Sequence, residues 1–264
     1  MKKLLLQGLL ILGFLYAGWY VLSRTNWVKL FGLEEIQASS EAKLGEMLWE
    51  MTAETSQVVE NEYLSVALDS MVNKICSANG FDRSSVKWHV VDKAEINAFA
   101  MPDGHLVIHT GLLQAVNNPE ELAGVIAHEI AHIQQKHVLK KLIKELGIAY
   151  LTSGTLEGLG SETIREAARV LSSTAFDRGM EKEADLHAVD YLKAAGINPR
   201  PLADFMEVLG EQEGNAARYL SWVSTHDASK ERADYILEYI GKEESAVYQP
   251  VLSEMTWKQA LEQL

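Results

Sequence analysis

Cysteine is nearly missing from this sequence: Cys76 stands alone among 264 residues. No disulfide can form within the chain, and a metal site built from several thiolates is excluded. A single thiol reads as a small buried apolar side chain. Basic charge is scarce as well, with 24 lysines and arginines against 37 acidic residues and a net charge of −13. Residues 1–33 hold Lys2, Lys3, Arg24 and Lys29 and no acid, so the remainder is more acidic still. Such a body repels phosphate backbones, which argues against a nucleic-acid partner. Internal repeats and low-complexity blocks are lacking too. A hydrophobic share of 47% suits one globular domain with a sizeable core.

One stretch lacks charge altogether. Lys2 and Lys3 precede Leu4–Leu22, 19 residues without a charged side chain. A helix of that length matches the hydrocarbon core of a bilayer. Signal peptides have shorter apolar regions and a small-residue cleavage site, for which Ala17-Gly18-Trp19 is a poor match. Trp19, Tyr20 and Trp27 lie near the far end, where aromatic rings favour the interface. The expectation is an uncleaved single-pass anchor in a bacterial inner membrane, with the body on the periplasmic side. The alternative is a cleaved signal and a soluble periplasmic protein. Residues 1–33 are then anchor and linker, and 34–264 the globular domain.

The body reads as α+β: mostly helical with a small mixed sheet. Residues 34–80 carry Leu44, Leu48, Leu64, Leu68, Val72 and Ile75 at helical spacings, stopped by Asn79-Gly80. Strand-like runs follow at 86–91, 97–101 and 106–109, with Pro102-Asp103-Gly104 as a turn. Asn118, Pro119 and Glu121 form a strong helix start, and the helix is expected to run to about His137. Residues 147–160 are rich in Gly, Ser and Thr and read as a loop that gates a cleft. Helices are expected over about 161–173, 176–195, 200–213, 216–222 and 229–240, then a tail.

The helix from Asn118 contains His128-Glu129-Ile130-Ala131-His132, an HExxH motif. Residues four apart share a helical face, so two imidazoles can bind one zinc ion and Glu129 can serve as general base. Apolar residues surround the motif on every side, so the helix is buried, and its polar groups need compensation there. A catalytic zinc takes a third protein ligand. Within Arg178–Asp185, Glu181 and Asp185 form a second i, i+4 pair. Glu181 is the expected ligand, and Asp185 would orient a ligating histidine through its other ring nitrogen. Glu183 is the rival, on another face. His89, His105, His109, His137 and His187 read as surface or packing residues. His137 lies nine residues beyond His128, about half a turn round the helix, so it faces away.

These segments together resemble the zinc metallopeptidase family of the CAAX prenyl protease and the HtpX heat-shock protease, of the gluzincin type. The likeness is to its bacterial branch with a single small catalytic domain. It rests on HEIAH at 128–132, on EKEAD at 181–185 preceded by Arg178, on Asn97–Ala100 leading to Gly111-Leu112-Leu113, and on Thr225-His226 followed by Arg232. The resemblance implies a zincin-like fold with His128, His132 and Glu181 as metal ligands. It also implies that His226 approaches the metal and stabilises an oxyanion, that Asp185 and Arg178 support the site, and that Asn97, Ala98, Phe99 and Ala100 hold extended substrate. Asp227 stands where the family has proline, and Asp177 where it has serine.

The expected activity is cleavage of polypeptides, including misfolded or membrane-associated ones, by a zinc-activated water. The alternative is a catalytically idle zinc protein, chaperone-like or scaffolding. Glu129 argues against a mere binder, and a closed structural zinc site would need four protein ligands, commonly cysteines.

Overall fold

The structure is a computed structural model that describes residues 33–146, 161–173, 175–211, 222, 225–226, 230–241, 247–262 and 264. Three expectations fall outside these residues: the anchor at Leu4–Leu22, the 147–160 loop and most of the helix at 216–222. Among the described residues no helix is long and apolar enough to cross a membrane. Ser40–Leu264 forms one compact unit.

The expected helical stretch at 34–80 is two helices, α1 (Leu33–Thr55) and α2 (Glu62–Asn79). Between them the chain turns extended and bonds to a strand edge: Val59 N–H donates to the Val90 carbonyl, and Asp92 N–H to the Gln57 carbonyl. β-branched Val58 and Val59 suit that extended pairing. The Asn61 side chain then caps α2 by accepting from Leu64 N–H. Gly80 ends it with φ of 69°, and Phe81 N–H bonds back to the Cys76 carbonyl. Cys76 is buried and free, as a lone thiol should be.

Three strands follow, β1 (Lys87–Val91), β2 (Ala98–Ala100) and β3 (His105–His109), in spatial order β1-β3-β2. β1 runs parallel to β3 and β2 antiparallel to it, so the sheet is mixed. Gly104 makes the β2–β3 turn. It has φ of 72°, and a Cβ there would stand 1.9 Å from the Ser85 carbonyl oxygen. β3 is buried along its whole length because both faces are covered. Leu106 and Ile108 face the larger apolar cluster, while Val107 faces a second one with Val91, Ala100 and Met101.

After a short helix, α3 (Thr110–Ala115), comes α4 (Pro119–Gln134). The Asn118 side chain accepts from Glu121 N–H at 2.9 Å, Pro119 takes the first helical position, and Glu121 reaches back to Asn117 N–H at 2.8 Å. Every residue from Glu121 to His132 is buried. α4 lies between sheet and helices as the central rod of the larger core. Gly124 lets it approach the next layer, since a Cβ there would sit 2.9 Å from Leu202 Cβ.

The expected continuation to His137 does not occur. α4 stops at Gln134, Lys136 adopts φ of 57°, and a new helix, α5 (His137–Leu146), begins. α6 (Ser161–Ser173), α7 (Arg178–Ala194), α8 (Arg200–Glu211) and α9 (Lys230–Ile240) fall close to expectation. The C-terminal tail contains α10 (Glu254–Leu261), started by a Ser253 side-chain cap.

Candidate metal centre

Two helices set the site. On α4, His128 and His132 lie one turn apart, and their Nε2 atoms are 3.0 Å from each other. From α7, Glu181 faces both: Oε2 is 3.5 Å from His128 Nε2 and Oε1 is 3.5 Å from His132 Nε2. His226 completes the group, with Nδ1 3.2 Å from Glu181 Oε1 and 3.4 Å from His128 Nε2. One donor atom from each of the four lies within 4.8 Å of the others, and all four residues are buried. α7 is anchored by Asp177, whose side chain caps it by accepting from Met180 N–H. An aspartate where the resemblance expects serine therefore keeps the capping function.

The surroundings fix the imidazoles. His128 Nδ1 stands 2.9 Å from Asp185 Oδ1, somewhat off the line of an ideal hydrogen bond. Asp185 is held in turn by Arg232, whose Nε and Nη2 reach its two oxygens at 2.9 and 2.8 Å, and by the Tyr235 hydroxyl. Arg232 Nη1 also pairs with Glu181 Oε2 at 2.7 Å. The guanidinium that clamps both carboxylates thus comes from α9. Arg178, expected to support the site, is exposed in the first turn of α7. Phe176 stacks on His132 with ring centroids 4.0 Å apart, and Trp222 stacks on His226 at 4.4 Å.

The break after Gln134 redirects His137. Its Nδ1 lies 3.0 Å from His132 Nδ1, and its Nε2 lies 3.2 Å from Glu183 Oε2 on α7. The expectation that His137 faces away assumed one continuous helix, and the left-handed Lys136 removes that assumption. Glu183 is turned toward His137, with its side chain about half exposed.

Glu129 sits beside the cluster. Its Oε2 accepts from the Ala100 N–H of β2 at 2.9 Å, and its Oε1 is 3.4 Å from His226 Nε2. Thr225, next to His226, bonds through Oγ1 to Asn97 Oδ1 at 3.3 Å. Ala98 and Ala100 are buried, Phe99 is half-buried, and β2 is the sheet edge nearest the site.

The charges oppose one another strongly. Burial raises the Glu129 carboxyl above the ordinary range, against the attraction of His226 and His128. Burial also opposes the charged form of His128, but Asp185 and Glu181 prevail and lift it to about 9. For His132 burial outweighs the attraction of Glu181 and drives it well down. Burial works against the ionised Glu181 and Asp185, yet Arg232 keeps both low, Asp185 at about 2. Lys141, buried near Phe176, is pushed down to about 8 by burial.

A cation fits this arrangement. Glu129 Oε1 and His226 Nε2 are fully buried and make no hydrogen bond among the described residues. Nε2 of His128, Nε2 of His132 and the Glu181 carboxylate converge within 3.5 Å of one another. Nitrogen and carboxylate oxygen with no thiolate is a donor set of catalytic zinc sites. A second acidic group, Glu46, Asp103 and His105, does not fit as well, because Lys87 Nζ stands among them, 3.0 Å from Glu46 and 2.6 Å from Asp103.

Comparison with known proteins agrees. Residues 63–240 match peptidase family M48. A mitochondrial metalloendopeptidase, OMA1, of Arabidopsis thaliana is 27% identical over 204 residues, covering 77% of this chain and 41% of that protein. A beta-barrel assembly-enhancing protease of Yersinia pestis is 24% identical over 206 residues, covering 72% and 42%. The metalloprotease LoiP of Escherichia coli is 29% identical over 193 residues, covering 71% and 75%. The chain thus spans under half the length of the first two relatives.

Proposed function

The chain belongs to peptidase family M48, a zinc-dependent family, and on that premise we propose that it is a metalloendopeptidase that hydrolyses polypeptides. The convergence of His128, His132 and Glu181 beside a buried, raised-pKa Glu129 carries this reading.

His128, His132 and Glu181 would hold the ion. Bound zinc supplies an acidified water and a polarised carbonyl. Glu129 takes a proton at Oε1, since the Ala100 N–H already engages Oε2, and returns it to the leaving amine. Its raised pKa makes the carboxylate a stronger base than an exposed glutamate. His226 Nε2, facing Glu129 Oε1, donates to the oxyanion. Asp185 holds His128, and Arg232 holds Asp185 and Glu181. β2 offers an extended peptide its outer edge. Ala100 N–H already points outward to Glu129, and backbone direction alternates along a strand, so Ala98 shares that side.

The uncharged Leu4–Leu22 stretch supports an anchor that keeps a 34–264 catalytic domain at a membrane surface, on the periplasmic side. Misfolded or membrane-associated chains are the substrates this placement favours. Carbonate extraction of membranes from cells making the full chain tests the anchor, and release into the soluble fraction would contradict it.

Cleavage of unfolded casein by the wild type and by Glu129→Gln tests the activity. A drop of roughly 100-fold or more with zinc content unchanged is expected. Equal rates in both proteins, or no cleavage by either with zinc bound, favours the idle alternative.

A further inference from the structure

Among the described residues no carboxylate stands directly behind His132 as Asp185 does behind His128. What stands there is the buried ring of His137, Nδ1 to Nδ1 at 3.0 Å, and behind His137 stands Glu183 Oε2 at 3.2 Å. We propose that His137 and Glu183 form a relay that fixes the tautomer and orientation of His132, making His137 a positioning residue of the metal centre. The inference rests on the proposed metalloendopeptidase reading and goes one step further into the same site.

Proton accounting gives the direction. An ionised carboxylate only accepts, so the His137 Nε2–H donates to Glu183. A neutral ring then has its lone pair on Nδ1. His132 Nδ1 faces that lone pair and must carry the hydrogen. Its Nε2 is left with a lone pair, aimed at His128 Nε2 and Glu181 Oε1. Reversing the His132 tautomer would set two lone pairs against each other across 3.0 Å and point an N–H at the metal position. An orienting partner behind a ligating imidazole is a general requirement of metal sites. Here the partner is a second imidazole, and the backbone break at Lys136 brings it into place. α7 serves both histidines of α4, with Asp185 behind His128 and Glu183 behind His137. Phe176 covers the His132 ring and keeps water from replacing the bond.

The test is zinc affinity by chelator competition, alongside thermal unfolding of the metal-free proteins. His137→Leu removes the acceptor and should weaken zinc binding about 10–100-fold. His137→Asn can place an amide oxygen where Nδ1 stands and should recover most of that loss. Glu183→Ala, at a half-exposed position, should weaken binding several-fold while leaving the metal-free melting temperature unchanged. Leu at 137 within twofold of wild type, Asn no better than Leu, or Glu183→Ala within twofold would each overturn the relay. If His137→Leu does not fold, Asn and Glu183→Ala still decide. Failure of wild type itself to bind zinc would instead defeat the underlying metalloendopeptidase reading.

Discussion

Arg232→Leu should destabilise the metal-free protein far more than the zinc-loaded one. Arg232 is 4% exposed and lies between two buried carboxylates, Glu181 at 2% and Asp185 at 0%. It makes three close contacts, at 2.7 Å to Glu181 and at 2.8 and 2.9 Å to Asp185. Removing one partner of a buried ionic network leaves uncompensated charge and costs about 3–5 kcal/mol. Leucine roughly fills the stem's volume, so the loss is electrostatic rather than a cavity. In the metal-free protein both carboxylates lose their main positive neighbour. In the loaded protein zinc still balances Glu181, while Asp185 keeps His128 and Tyr235 in both states. About half the penalty should therefore disappear. For a domain of this size each kcal/mol shifts Tm by roughly 2–4 °C. A fall of at least about 6 °C in chelator is expected, and distinctly less with zinc. Scanning calorimetry in both conditions measures it. A loss under about 1 kcal/mol without metal, or equal losses with and without it, would refute the assignment of Arg232 as the countercharge.

The other predictions concern packing, pH and the catalytic support. Gly124→Val should cost roughly 1–3 kcal/mol, because α4 and α8 meet at that Cα; urea unfolding reads it, and an unchanged midpoint would show that the helices can part. His109 is 5% exposed, and burial, then Lys93, push it down to about 4. Its folded pKa lies below the unfolded value, so its contribution is complete above about 6.5 and is lost as pH falls from there toward 4. In chelator, His109→Gln should reduce the stability lost between pH 7.5 and 4.5 by roughly 1–3 kcal/mol, and an unaltered slope would contradict that. Asp185→Asn should weaken zinc binding about 10–100-fold by loosening His128, measured by chelator competition; unchanged affinity would deny it that role.

Much of this site can be read in the sequence because its chemistry is local. HExxH on a strongly capped helix fixes two imidazoles by periodicity alone, and Glu181 with Asp185 repeats the spacing on α7. Pro119 and Asn118 announce where α4 begins. Nothing in Gln134-Gln135-Lys136 announces where it ends, since lysine seldom adopts positive φ and no glycine or proline marks the break. The helical periodicity that turns His137 away from His128 therefore does not apply beyond Gln134. A histidine five residues past the second HExxH histidine, with Glu183 between Glu181 and Asp185, is the available signal. The division of α1 from α2 depends on Val58 and Val59 pairing with a strand, a tertiary contact invisible to helical spacing. Phe176 stacks on His132 from 44 positions away and Trp222 on His226 from four, and neither ring belongs to a metal-binding motif that could name it. Arg232, which the resemblance marks without a task, is the guanidinium that pairs with Glu181 and Asp185. Asp177 shows how a departure from pattern can preserve function, because aspartate caps a helix as serine does.

Zinc absorption-edge spectroscopy of the loaded full chain tests the central claim most directly. One zinc per chain is predicted, in a nitrogen and oxygen shell at about 2.0–2.1 Å with imidazole scattering, and the imidazole signal should shrink in His132→Ala. Substoichiometric zinc, or a shell unaltered by that substitution, would contradict a centre built on His128, His132 and Glu181.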